Sequence, residues 1–362
     1  MSPRVFVLSP GFPLEGDKFG GAVAEQILAL GRRFDLRVCS LVPLAERRSR
    51  RGDVEILGPP DAGRLGRFRA IAEAADVWRP DLFWCLWVDR AGPPAIALSK
   101  MFDRPVVASV MGGELARLPH VAYGTRRSLR GRVTVQAVLR AARVVTVGSP
   151  RLRAQAEAIA GASVRETPFG VDPARIQPRT RAPWTRDRPL KMAAVVDVAR
   201  VKGSEMIFAA HAELLRQRVE ARLTVFSLTP KEGHAELRGR ASAAGIGEHV
   251  VWSPPLDAEG LYRRLPDFDV HVSASLHESQ GLALIEAAMA NVPVVAPHVG
   301  VAAVLAGQGA ATLVTSTSAP ELAHAILQAA SAPVSGRERV AAIYGIEPCT
   351  ERFAAVIEEA LS

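Results

Sequence analysis

Short apolar runs alternate with stretches whose apolar residues recur every three or four positions, along most of the 362 residues. The runs at 5–8, 36–41, 82–86, 106–110 and 144–147 are rich in β-branched residues and too short for helices, so they predict strands. Helical spacing falls between most of them, at 22–33, 67–77, 95–102 and 126–141. The rhythm then resumes with strands at 192–196, 223–226, 249–252, 270–273 and 292–296. Helices at 204–217, 235–244, 280–290 and 320–330 are interleaved with them. Strands joined through helices pair in parallel, with the helices covering both faces of the sheet. The pattern therefore predicts the α/β class, as two Rossmann-like parallel sheets in series.

Length agrees, since a single hydrophobic core seldom grows past about 250–300 residues. The stretch 172–190 contains Pro173, Pro178, Pro183 and Pro189 with several arginines, and reads as a linker. The expected domains are 1–178 and 179–346, with a last helix within 347–362 packing back on the first. Ligands of open parallel sheets gather beyond the carboxyl ends of the strands, so the expected site is a cleft between two facing sheets.

Charge divides unevenly. Residues 1–180 carry a net +11 and residues 181–362 a net −3, within the overall +8. The two halves are thus expected to meet different partners, with the acceptor on the basic one. The run Arg47-Arg-Ser-Arg-Arg51, with Arg64, Arg67 and Arg69, is a candidate surface for acidic headgroups. Nucleic acid is not an expected partner, because the basic residues are not interleaved with aromatics. Cys39, Cys85 and Cys349 are too few and too scattered for a disulfide framework, which points to a reducing, cytoplasmic setting. No secretory leader or spanning segment is read, and the histidines show no metal-ligand spacing.

The most informative segment runs from Asp269 to Ala296: a buried strand, a polar loop, an amphipathic helix and another buried strand. Glu278 lies in the loop. Ser279 is placed to cap the helix, leaving the amides of Gln280, Gly281 and Leu282 as an anion site for a phosphate or diphosphate. Glu286 sits two turns further on among apolar neighbours, where a carboxylate needs a hydrogen-bonding partner such as a ribose hydroxyl. The competing reading makes Glu286 the solvent edge of a packed helix and Glu278 an ordinary loop acid. Glutamates eight apart occur three times, at 205/213, 278/286 and 351/359, so spacing alone decides nothing. Only the middle pair straddles a strand-to-helix loop.

This segment resembles the E-x7-E region of retaining glycosyltransferases of family 4, which have the GT-B fold. Further matches follow in order. Gly20-Gly21 resembles that family's N-terminal glycine-rich loop, and 141–149 (Ala-Ala-Arg-Val-Val-Thr-Val-Gly-Ser) resembles its "ADxVxxxS" strand. Pro168-Phe-Gly-Val-Asp172 resembles "PNGVD", Lys202-Gly203 the donor-site "KG", and Asn291-Val-Pro-Val-Val-Ala296 "GxPVVA". The resemblance implies transfer of a sugar from a nucleotide diphosphate sugar to a hydroxyl acceptor (a sugar, a lipid-linked group or a small molecule), with retention and without a metal or other cofactor. It implies that Glu278 holds the donor sugar's hydroxyls and Glu286 the ribose. Lys202 would neutralise the leaving diphosphate, assisted by Gln280, Gly281, Leu282, Gly20 and Gly21.

Departures from the family pattern are specific. The family arginine five or six residues before Lys202 is replaced by Val196 or Asp197, leaving Arg200 as a substitute. Met111 stands where many members have histidine, in Val110-Met-Gly-Gly-Glu114. Glu114 is then the acid/base or acceptor-binding candidate, with His120 able to approach the same place. These changes keep two other readings open: an inactive sugar-nucleotide-binding protein, and a GT-B epimerase or phosphorylase. Peripheral contact with the inner membrane face is expected through the basic half.

Overall fold

A computed structural model describes residues 2–11, 21–161, 163–227, 233–315 and 318–362. The chain divides into two units, one of Met1–Gly170 with Ile346–Ser362 and one of Val171–Gly345. The first unit opens with β1 (Arg4–Ser9), α1 (Gly21–Leu30), β2 (Asp35–Ser40), β3 (Arg48–Arg51), β4 (Val54–Leu57) and α2 (Arg64–Trp78). It continues with β5 (Leu82–Leu86), α3 (Gly92–Phe102), β6 (Val106–Val110), α4 (Leu129–Ala141), β7 (Val144–Val147), α5 (Pro150–Glu157) and β8 (Ser163–Glu166). These strands form one sheet in the order β3-β4-β2-β1-β5-β6-β7-β8, parallel except for β3 against β4. The central strands β5, β6 and β7 are buried along their whole length, as strands covered on both faces must be.

The second unit holds β9 (Leu190–Val196), α6 (Ser204–Arg216), β10 (Ala221–Ser227), α7 (His234–Ala243), β11 (Val250–Trp252) and α8 (Ala258–Arg264). Then come β12 (Val270–Val272), α9 (Leu282–Met289), β13 (Val294–Pro297), α10 (Ala302–Gly307), β14 (Ala311–Val314), α11 (Ala319–Ser331) and α12 (Arg337–Tyr344). Its strands run parallel in the order β11-β10-β9-β12-β13-β14. The last helix, α13 (Ile346–Leu361), belongs to the first unit. There Phe353 stacks against Trp84 at 5.2 Å and Phe169 at 5.0 Å, and Gln26 of α1 donates to Thr350 at 2.6 Å.

Each sheet has one place where the strand order reverses: β1 beside β5 in the first, β9 beside β12 in the second. At such a switch point the loops leave in opposite directions and open a crevice.

One expectation needs correcting. The proline-rich stretch is not a linker, because the second unit begins at Val171 rather than 179 and includes it. Trp184 is buried in that unit's core, and Asp269, fully buried at the start of β12, draws in three arginines from the stretch. Arg188 binds it at 2.8 and 2.9 Å, Arg179 at 3.2 Å and Arg181 at 3.6 Å. A polar, proline-rich composition usually signals solvation, but here the cations satisfy a buried carboxylate. The basic run at 47–51 lies in and beside the antiparallel edge strand β3, where Glu55 pairs with Arg48 and with Arg37. Charge on an exposed sheet edge discourages pairing with another chain. Among the described residues no helix is long and apolar enough to cross a membrane.

Candidate functional site

The switch point of the second sheet brings the Lys202 and Glu278 loops together. Beyond β9, Asp197 accepts the Ala199 amide at 2.6 Å and turns the chain into a single 3-10 turn, Arg200–Lys202. Gly203 ends that turn in the left-handed region at φ 65° and abuts the β12 loop so closely that a Cβ would lie 2.1 Å from the Ala274 carbonyl oxygen. The Leu276 amide donates to the Val201 carbonyl at 2.8 Å. These backbone contacts fix the register in which Lys202 Nζ meets Glu278 Oε1 at 2.8 Å. Both side chains keep partial access to solvent, at 24% and 18%.

A third loop, after β13, completes the frame. Gly300 (φ 50°) lies against Gln280, whose carbonyl oxygen would be 2.2 Å from a Cβ there and accepts the Val301 amide at 2.9 Å. Gln280 is thus buried and its carbonyl is engaged in holding the loop. Helix α9 starts at Leu282, with Gly281 (φ 92°) as N-cap and no side-chain cap. Ser279 is therefore not the cap expected from sequence, and the open helix end shifts to Gly281 and Leu282. Glu286, on α9, is half-buried and accepts from the Tyr262 hydroxyl at 3.3 Å. Arg175 covers the Tyr262 ring at 5.4 Å.

Arg200 is not brought to this place. Its exposed guanidinium faces the equally exposed Glu205 at 3.5 Å, so it does not stand in for the family arginine. Val196 is buried in β9 and Asp197 is occupied with its own turn. Gly21 opens α1, while Gly20 lies outside the described residues.

The first unit has its own pocket of about 700 Å³ beyond β1, β5 and β6, at that sheet's switch point. Trp87, Asp89, Glu114, Tyr123 and Arg127 line it. Trp87 follows β5 at φ 61°, a conformation that costs a bulky residue on the order of 1–3 kcal/mol and that concentrates at functional sites. It opens a π-turn, Trp87–Ala91, that carries Asp89, which accepts from the Thr125 hydroxyl at 2.7 Å. Glu114 is buried and accepts the amides of Met111 at 3.0 Å and Gly112 at 2.5 Å. Burial pushes its carboxyl up to about 7, with the charge of Asp89 adding and the backbone hydrogen bonds opposing. Glu114 thus shapes the loop as well as facing the pocket. His120 does not join it: the histidine sits exposed on the turn Pro119–Val121, and Tyr123 fills the wall instead.

Sequence reasoning missed Gly300, Tyr262, Trp87, Asp89 and Tyr123. Gly300 had a signal, a glycine just after a buried strand. The others depend on which loops the sheet brings side by side. Among the described residues no three His, Cys, Asp or Glu side chains group as metal ligands.

The loops of the second unit lie within a stretch that is similar to known proteins. Residues 191–332 match the family model described as glycosyl transferases group 1. D-inositol 3-phosphate glycosyltransferase of Arthrobacter sp. is 34% identical over 106 residues, 28% of this chain and 25% of that protein. The protein of that name from Pseudarthrobacter chlorophenolicus is 33% identical over 141 residues, 37% of this chain and 33% of that protein. The matches thus span a third or less of these relatives' length. Sucrose-phosphate synthase from Thermosynechococcus elongatus superposes with a TM-score of 0.82 at 18% identity, covering 99% of this chain and 98% of that one. HepE of Anabaena, solved in complex with UDP and glucose, gives 0.75 at 15% identity over 98% and 99%. The chain therefore has the GT-B fold of these glycosyltransferase structures, and its second unit carries a stretch similar to glycosyl transferases group 1.

Proposed function

We propose that the protein is a metal-independent retaining glycosyltransferase of the family 4 kind, moving a sugar from a nucleotide diphosphate sugar to a hydroxyl acceptor. The observation that carries this is the Lys202–Glu278 pair at the β9/β12 switch point, clamped by Gly203 and Gly300, with Glu286 about one turn into α9. In this reading the donor diphosphate lies against Lys202 and the uncapped start of α9 at Gly281 and Leu282. Glu278 accepts from hydroxyls of the donor sugar, and Glu286, oriented by Tyr262, from the ribose. Breaking the bond between the anomeric carbon and phosphate oxygen leaves negative charge on the diphosphate, which Lys202 and the amides stabilise in place. The acceptor oxygen bonds to the same face of that carbon, and its proton passes to the departing phosphate oxygen.

The acceptor is assigned to the pocket of the first unit, with Asp89 and Glu114 as hydroxyl-binding carboxylates. His120 has no part in this scheme. HepE is described in complex with UDP and glucose, which makes uridine diphosphate sugars the first donors to test. Three scattered, buried cysteines fit a reducing, cytoplasmic compartment.

A thermal-shift screen against nucleotide diphosphates tests the reading, because a ligand that binds only the native state raises its apparent stability. The expected result is a shift with one base, lost in Lys202→Ala, and release of that nucleotide when the matching sugar donor meets an acceptor. No shift with any nucleoside diphosphate overturns it. The altered arginine position favours one second reading, a sugar-nucleotide-binding protein without turnover. Nucleotide binding with no transfer or hydrolysis would support that reading instead.

A further inference from the structure

Between Leu115 and Ala156 the sequence has nine arginines and not one aspartate or glutamate. Helix α4 runs through the middle of this acid-free stretch. Its inward face, Gly131, Val135, Val138 and Leu139, is buried against the first sheet. Its outward face carries an apolar ridge instead of the polar surface such a helix normally shows: Leu129 is 69% exposed and Val133, one turn on, 58%. Arg130 and Arg132 flank the ridge on either side and Arg140 closes its far end, all three exposed. Among the described residues none of Arg126, Arg130, Arg132, Arg140 and Arg143 has an acidic partner.

We propose that this face of α4 docks the first unit on an anionic lipid bilayer. Apolar side chains ringed by cations are what an interfacial helix presents, the former entering the acyl boundary and the latter meeting headgroup phosphates. A second copy of the chain is a poor occupant, because a two-fold contact would set these arginines against their own images. Two aliphatic side chains also fall well short of the area a stable dimer buries. Nucleic acid fits less well, since the ridge is aliphatic and offers no ring on which bases stack. The face adjoins the pocket directly: Thr125 and Arg127 line it, and Ser128 caps α4 by accepting the Gly131 amide at 3.0 Å. Resting on the glycosyl-transfer reading, this placement makes the acceptor a lipid-borne hydroxyl presented at the bilayer surface.

Co-sedimentation of the full chain with phosphatidylcholine vesicles, with and without phosphatidylglycerol, tests the surface. Binding is expected only to the anionic vesicles and is expected to weaken as salt is added. Combining Arg130→Gln, Arg132→Gln and Arg140→Gln should lower partitioning on the order of a hundredfold, at roughly fivefold for each cation lost near the surface. Leu129→Ser with Val133→Ser should lower it as well, whereas Arg50→Gln on the far edge strand should not. Each variant is also titrated with the nucleotide diphosphate. A preserved thermal shift with lost vesicle binding assigns the defect to docking alone, independently of whether glycosyl transfer is the right activity. Equal binding to both vesicle types, variants that bind like the parent, or tighter binding to a single-stranded oligonucleotide than to anionic vesicles at the same salt each overturn the proposal.

Discussion

Replacing Gly203 by alanine adds one methyl group at the most tightly constrained point of the donor loop. The residue sits at φ 65°, and the new Cβ would stand 2.1 Å from the Ala274 carbonyl oxygen, where ordinary contact begins at 3.4 Å. That oxygen is backbone, held by the register of the β12 loop on Val201, so it has no rotamer by which to withdraw. Two costs follow: about 1–2 kcal/mol for a left-handed residue bearing a Cβ, and about 1–3 kcal/mol for opening the contact. Together they predict a loss of about 2–5 kcal/mol. The opening also draws Lys202 away from Glu278, and a displacement of about 1 Å in a catalytic constellation costs on the order of a hundredfold in rate. Urea unfolding of Gly203→Ala should show the midpoint falling, and the nucleotide-induced thermal shift should shrink with it. Gly239→Ala is the control. This glycine lies within α7 with nothing within 4 Å of an added Cβ, so the same chemical change should stabilise by roughly 0.5–1 kcal/mol. A Gly203→Ala protein with the parent's midpoint and nucleotide shift would refute the claim that close packing of these loops positions Lys202.

Other predictions concern single carboxylates. Glu278→Gln and Glu286→Ala should each lower kcat/KM for transfer at least a hundredfold, with an unchanged circular dichroism spectrum; parent-like turnover in both removes them from the site. Asp269→Asn should cost about 3–5 kcal/mol, because it strands three buried or half-buried arginines around an uncharged amide. Burial alone would raise the Asp269 carboxyl, but the hydrogen bonds from Arg188 and the Lys191 amide and the nearby cations outweigh it and hold the pKa low. Its stabilisation is therefore full above the unfolded value of about 3.9 and drains away as the pH falls through the lowered native one. The substituted protein should lack this acid limb in urea midpoints measured against pH. Glu114 has the opposite sign. Raised to about 7 by burial, it takes up a proton on folding above its unfolded value, so its contribution declines as the pH climbs from about 4.3 towards 7. Glu114→Gln should flatten that decline; an identical pH profile would contradict the assigned shift.

The class of the fold was legible because parallel sheets leave a regular trace: β5, β6 and β7 are uninterrupted apolar runs, and helical periodicity fills the gaps. Strands without that trace escaped. β3 reads Arg-Ser-Arg-Arg and β8 Ser-Val-Arg-Glu, edge strands that between them bury one apolar side chain, Val164, too little for an apolar run to show. The misread linker shows the reverse limit. Its prolines and arginines are local facts, whereas their purpose depends on Asp269, about 80 positions further on, being buried beside them.

For the candidate site, Glu278 and Glu286 could be read from a strand–loop–helix context within some 20 residues of chain, and Lys202 from its resemblance to a donor-site "KG". The sequence also supplied the glycines without saying what they touch. Only the tertiary structure decided that Lys202 meets Glu278 across 76 positions, that Arg200 turns away, and that His120 stays outside while Trp87 and Tyr123 wall the first pocket. The reason is physical. Periodicity and turn chemistry act between neighbours along the chain, whereas a pocket is made by strand order, and strand order is settled only when the whole sheet packs.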